Sequence, residues 1–114
     1  LRQLRQKLIE AYLSKEEKSK VERALKKLSS TGFDPWGVNP PTLMASLAST
    51  IWFYRHYFRV VTHGIEHIPE GRCLLIANHS GQVPIDAMLV ATSVLLELEP
   101  PRLVRGMVER WAPS

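Results

Sequence analysis

The chain has 114 residues, 45% hydrophobic and 23% charged, which is the composition of one ordinary globular domain rather than a disordered tail or a collagen-like repeat. Its single cysteine, Cys73, excludes an intrachain disulfide and any all-cysteine metal site, and favours a reducing compartment. Net charge is +4, carried unevenly: residues 1–28 hold 9 basic and 4 acidic residues, whereas residues 29–114 hold 6 and 7.

The basic excess therefore belongs to the N-terminal segment, where it suits an anionic membrane surface or simply forms a solvated helix face. Apart from Tyr12 the segment interleaves no aromatics with its cations, so no nucleic acid partner is expected. It also lacks the continuous apolar core of a secretory signal. Leu1, Leu4, Leu8 and Tyr12 recur at helical spacing, as do Val21, Leu25 and Leu28. This periodicity predicts a basic amphipathic helical segment over 1–32: one helix over 2–28, or two joined near Ser14–Ser19, ended by Gly32. Residues 33–41, with Asp34-Pro35-Trp36-Gly37 and Asn39-Pro40-Pro41, carry the turn chemistry of a linker.

Thr42 is the expected cap of a helix to about Phe58, with Leu43, Leu47, Ile51 and Tyr54 along one face. At its end Trp52, Arg55, Tyr57 and Arg59 mix aromatics with cations. That mixture fits a membrane interface, or a buried packing helix whose basic end suits the helix dipole. The uncharged stretch Gly37–Tyr54 contains Pro40 and Pro41 and is not expected to span a bilayer.

The period then changes. Arg59–Thr62 reads as a strand and Gly64–Gly71 as a turn-rich connection. The continuous apolar run Cys73–Ala77 reads as a strand buried on both faces, with Cys73 an inert buried thiol. Pro84 is placed at the first position of a helix to about Leu98, and Leu103–Val108 reads as the next strand. The expected fold class is therefore α/β: N-terminal helices followed by the first βαβ portion of a truncated domain occupying residues 42–114.

Two motifs bear on chemistry. His63-Gly64-Ile65-Glu66-His67 has the letters of an inverted zinc-peptidase motif, but Gly64 and the nearby Pro69 oppose the helix it needs. No metal site is expected there. In Asn78-His79-Ser80-Gly81-Gln82-Val83-Pro84-Ile85-Asp86, a histidine follows the apolar run and an aspartate falls in the first turn of the next helix. If the loop folds back, Asp86 orients one nitrogen of His79 and leaves the other to take a proton.

The stretch Leu74-Leu75-Ile76-Ala77-Asn78-His79-Ser80 resembles the first block of the glycerolipid acyltransferases, which acylate glycerol 3-phosphate and lysophospholipids. The lead-in Tyr54-Arg55-His56-Tyr57-Phe58, Val60-Val61-Thr62 and Gly64–Pro69 is similar too. The resemblance covers about residues 42–112 and is specific around 71–88. It implies His79 as general base and Asp86 as its orienting partner, with Asn78, Ser80 and Gly81 near the substrate. It implies transfer of a fatty acyl group from acyl-CoA or an acyl-carrier protein to a glycerophosphate or lysophospholipid acceptor, with no bound cofactor or metal. It further implies a cytoplasmic enzyme held peripherally at the membrane face. Six residues separate His79 from Asp86, where that family has four. The family's later Phe-Pro-Glu-Gly-type block is missing, so residues 1–114 by themselves are expected to be an inactive piece that is prone to self-association. The alternative reading is a non-catalytic membrane-surface or helix-binding module.

Overall fold

A computed structural model of the protein describes residues 2–28, 34, 37–79 and 81–107. Helix α1 spans Arg2–Tyr12 and helix α2 spans Lys15–Leu28. What divides them is a reciprocal cap. The Ser14 hydroxyl accepts from the Glu17 N–H at 3.2 Å, and the Glu17 carboxylate accepts from the Ser14 N–H at 2.7 Å. The capping box satisfies two backbone donors at the start of α2, so the chain turns here instead of continuing as one rod. Leu13 at the break is buried, as are Val21 and Ala24 one and two turns into α2. Lys26 and Lys27 remain exposed near its end, where cations complement the helix dipole. In α1 the buried residue is Ile9, while Leu4 and Tyr12 of the predicted stripe stay exposed.

Helix α3 spans Pro40–Trp52, capped three residues earlier than the sequence predicts: Asn39 Oδ1 accepts from the Thr42 N–H at 3.0 Å, and Pro40 takes the first helical position. Five further residues, Phe53–Tyr57, widen into a π-helical turn closed by the Phe58 N–H donating to the Phe53 carbonyl at 2.9 Å. Arg59 then takes a left-handed φ of 49°, and the Val60 N–H reaches back to the Tyr54 carbonyl at 3.0 Å. Residues 65–67 form one 3₁₀ turn. Helix α4 spans Ile85–Glu97, with Pro84 as its N-cap residue.

The core lies where these helices meet. Leu13, Val21, Leu47, Ala48, Ile51, Tyr54, Leu95 and Leu96 form one buried cluster. Thr50, Thr92 and Ser93 are buried beside it because each hydroxyl donates to the carbonyl four residues back in its own helix, at 2.8–3.0 Å. Polar ties close the edges. Lys20 of α2 donates to the Leu96 carbonyl at the end of α4, and Arg23 pairs with Glu99 at 2.5 Å, which holds the Glu99 carboxyl below its ordinary range. Arg102 donates to the Pro69 and Gly71 carbonyls at 2.6 and 2.9 Å, fastening the loop before the apolar run to the segment after α4.

The α/β expectation is overturned. Among the described residues there is no strand, and Arg59–Thr62, Cys73–Ala77 and Leu103–Met107 are irregular. The described residues form a helical fold, without a βαβ unit among them. The run Cys73–Ala77 is not buried either: Leu74 is 66% and Ile76 88% exposed, and the Cys73 thiol is exposed. A continuous apolar run sets a composition but not a partner. A strand exists only when a second segment pairs with its backbone, and no described residue here does so. The segment is exposed along its length instead. The predicted Gly32 cap, Pro35 and Trp36 of the linker, and residues 108–114 lie outside the described residues.

Candidate functional site

The start of α4 gathers the groups with the clearest chemical geometry. Asp86 is the second residue of the helix, and its Oδ1 accepts from the Ala87 N–H at 2.7 Å. A carboxylate in this position is favoured by the unpaired amides and dipole of the helix N-terminus. His79 lies seven residues earlier in the chain, and its Nδ1 sits 2.9 Å from both Asp86 Oδ1 and Oδ2. The loop between them turns back through Gly81, whose φ of +98° is open to glycine and strained for any L side chain. A Cβ on Gly81 would meet nothing within 4 Å, so the requirement is one of backbone conformation and not of space. Pro84 then sets the entry into α4, and the Met88 N–H closes the first helical turn on its carbonyl at 3.1 Å.

This arrangement can do acid–base chemistry. With the Asp86 carboxylate accepting from Nδ1–H, the neutral imidazole keeps its lone pair on Nε2. The His79 side chain is 52% exposed and Asp86 35%, so a substrate can reach the ring. The structure brings His79 and Asp86 together, and it differs from the expectation on what supports the histidine. His79 is not mounted on a buried strand; it follows an irregular exposed segment and is held by Asp86 itself. Asn78 and Gly81 flank it and are exposed, while Ser80 lies outside the described residues.

The other sequence candidates are not drawn together. His63 and His67 are exposed, the 3₁₀ turn beginning at Ile65 follows Gly64 at φ +77°, and no cluster suited to a metal occurs among the described residues. At the end of α3, Trp52 and Tyr57 are exposed, and so is Arg59. Arg55 is different: its guanidinium contacts the carboxylate of Glu17, a residue only 3% exposed. Sequence reading passes over Glu17, although Ser14-Lys15-Glu16-Glu17 is the pattern of a capping box and signals it. It also passes over a polar cluster at the far end of α4. There the buried Tyr54 hydroxyl donates to the Glu97 carboxylate, and Thr62 Oγ1 lies 2.9 Å from the phenol oxygen. Burial, and after it the bond to Glu97, push the Tyr54 hydroxyl above its ordinary value of 10.0.

Between α3 and α4 runs an apolar cleft of about 210 Å³, lined by Leu43, Leu47, Met88, Ala91, Leu95 and Leu103, with Thr50 and Thr92 among its few polar groups. Met88 lies two residues beyond Asp86, on a different face of the same helical turn.

No protein-family profile matches the chain, and no solved structure matches it. It is similar to uncharacterized proteins of Mycobacterium bovis and Mycobacterium tuberculosis, each 33% identical over 63 residues. That match covers 54% of this chain and 18% of either relative. An uncharacterized protein of Mycobacterium leprae is 39% identical over 44 residues, covering 38% of this chain and 12% of the relative. The matched stretch thus spans less than a fifth of these relatives' length, and none of their names states an activity.

Proposed function

We propose that the protein carries the catalytic pair of an O-acyltransferase, with His79 as general base and Asp86 as the group that orients it. The observation that carries the reading is the 2.9 Å approach of His79 Nδ1 to both oxygens of a carboxylate seated on a helix N-terminus. The resemblance of residues 71–88 to the glycerolipid acyltransferases supplies the reaction class. His79 Nε2 takes the proton of the acceptor hydroxyl as its oxygen attacks the carbonyl carbon of an acyl thioester. The tetrahedral adduct collapses, the C–S bond breaks, and the imidazolium returns its proton to the departing thiolate. Asp86 stabilises the imidazolium between those two transfers. No covalent enzyme intermediate is required, so the exposed Cys73 has no step in this scheme. The acceptor class is a glycerophosphate or lysophospholipid, and the donor acyl-CoA or an acyl-carrier protein. The apolar cleft between α3 and α4 offers an acyl chain a lining free of charged residues within one turn of Asp86.

The test is thiol release from an acyl-CoA by the complete protein, with glycerol 3-phosphate or a lysophospholipid as acceptor. Release that depends on the acceptor and is lost in His79→Ala is expected. Release that is equal without acceptor, or is retained in folded His79→Ala, would overturn the reading.

A further inference from the structure

We infer that the π-helical turn after α3 is a docking platform for an anionic lipid bilayer. This inference does not depend on the acyltransferase reading. Four aromatic rings stand exposed around the turn: Trp52, Phe53 and Phe58 at 41% and Tyr57 at 66%. They touch one another in sequence, edge to face, with centroids 5.2 Å apart for Trp52–Phe53, 5.9 Å for Phe53–Tyr57 and 4.8 Å for Tyr57–Phe58. Among the aromatic residues of this stretch, Tyr54 alone is buried, at 5% exposure. Two features of the backbone shape the patch. The wider turn of the π segment brings Phe58 round to close on Phe53, and the left-handed Arg59 ends the helix immediately after it.

Charge selects the occupant. No aspartate or glutamate occurs between residues 35 and 65, whereas Arg55, Arg59, His56 and His63 all do. His56 lies against Trp52 at a ring distance of 6.0 Å, and Arg59, next in the chain after Phe58, is exposed. Arg55 contributes less, because it faces the Glu17 carboxylate inside the molecule. Amphipathic Trp and Tyr rings bordered by cations suit the headgroup layer of a bilayer, where rings reach the acyl boundary and cations meet phosphate. A nucleic acid would need a run of cations, whereas this patch is four exposed rings with Arg59 beside them in the chain and Arg55 drawn to Glu17. A second copy meeting it patch to patch would place like charges against each other.

The experiment uses Trp52 as the probe, in a protein carrying Trp36→Phe and Trp111→Phe so that it is the sole tryptophan. Vesicles of phosphatidylcholine and phosphatidylglycerol in equal parts should shift Trp52 emission to the blue, and brominated acyl chains should quench it. Partitioning should be about fivefold weaker for Arg59→Gln, as expected for one cation near an anionic surface. It should fall about tenfold or more for Phe53→Ser/Tyr57→Ser, which removes two rings that are solvent-exposed in the free protein. Circular dichroism confirms that each variant keeps its helices, and the quenching of Trp52 itself needs no change to the patch. Equal partitioning onto phosphatidylcholine alone would overturn the proposal. So would shielding of Trp52 from acrylamide by raised protein concentration without lipid, because a second copy would then cover the platform.

Discussion

Arg55→Ala should cost far more stability than the loss of a surface cation. The Glu17 side chain is 4% exposed, and its Oε2 is engaged by the Ser14 N–H. Its Oε1 is buried and, among the described residues, faces the Arg55 guanidinium without a hydrogen bond from any other group. Removing Arg55 leaves that oxygen unpaired, at a cost of about 1–3 kcal/mol for a buried polar group and more for a charged one. The Arg55 side chain is itself 51% exposed, so water can follow it out and trim the loss. The net expectation is about 2 kcal/mol, or a fall of about 8 °C in Tm for a chain of this size. Urea unfolding followed by circular dichroism at fixed pH measures it directly. Glu17→Gln keeps the capping oxygen and removes the charge, so adding Arg55→Ala to Glu17→Gln should cost clearly less than Arg55→Ala alone. A cost for Arg55→Ala below about 0.5 kcal/mol, the range of neutral surface changes, would refute the reasoning. Strict additivity of the two substitutions would refute it equally.

Two further outcomes follow from the geometry. Because the folded-state pKa of Tyr54 is raised, its contribution is intact below pH 10 and is lost as pH rises through the folded-state value. Tyr54→Phe should therefore be about 1 kcal/mol less stable at neutral pH, through the lost bond to Glu97, and should show a weaker alkaline decline than the parent when both are melted across that range. Gly81→Ala forces a φ of +98° on a residue with a Cβ, a strain of about 1–2 kcal/mol. Since the loop residues around it are exposed, the strain should relax locally: the global melt moves little, while the ¹⁵N resonances of His79 lose the signature of a proton fixed on Nδ1.

The elements whose determinants lie within a few residues are legible in the sequence. Helix α4 with Asp86 in its first turn, the joint near Ser14 and the approach of His79 to Asp86 all depend on caps, turns and a loop of six residues. The elements that depend on distant partners are not. The apolar content of Cys73–Ala77 predicts a buried strand, yet nothing local supplies the second backbone that a strand needs, and the segment is exposed. The same limit hides the Arg55–Glu17 pair, which joins residues 38 positions apart, and the Tyr54–Glu97 bond across 43. The π turn is hidden for another reason. The pattern Trp52–Phe58 fits an ordinary helix, and the widening by one residue becomes visible only in the backbone hydrogen bond from Phe58 to Phe53.

The central claim is that His79 and Asp86 act as one catalytic unit, and the kinetics of their double mutant test it most directly. Acyl transfer from an acyl-CoA to glycerol 3-phosphate or a lysophospholipid should be measured for the complete protein, His79→Ala, Asp86→Asn and the double mutant. Circular dichroism should show each one folded. His79→Ala should lose about 10²–10⁴-fold in kcat/KM, the usual worth of a positioned general base. Asp86→Asn keeps the shape of the side chain but not its charge, and should also fall severely. The double mutant should be little worse than His79→Ala alone, because a base without its orienting carboxylate and a carboxylate without its base are both idle. Losses that multiply in the double mutant, or full activity in folded His79→Ala, would contradict the account.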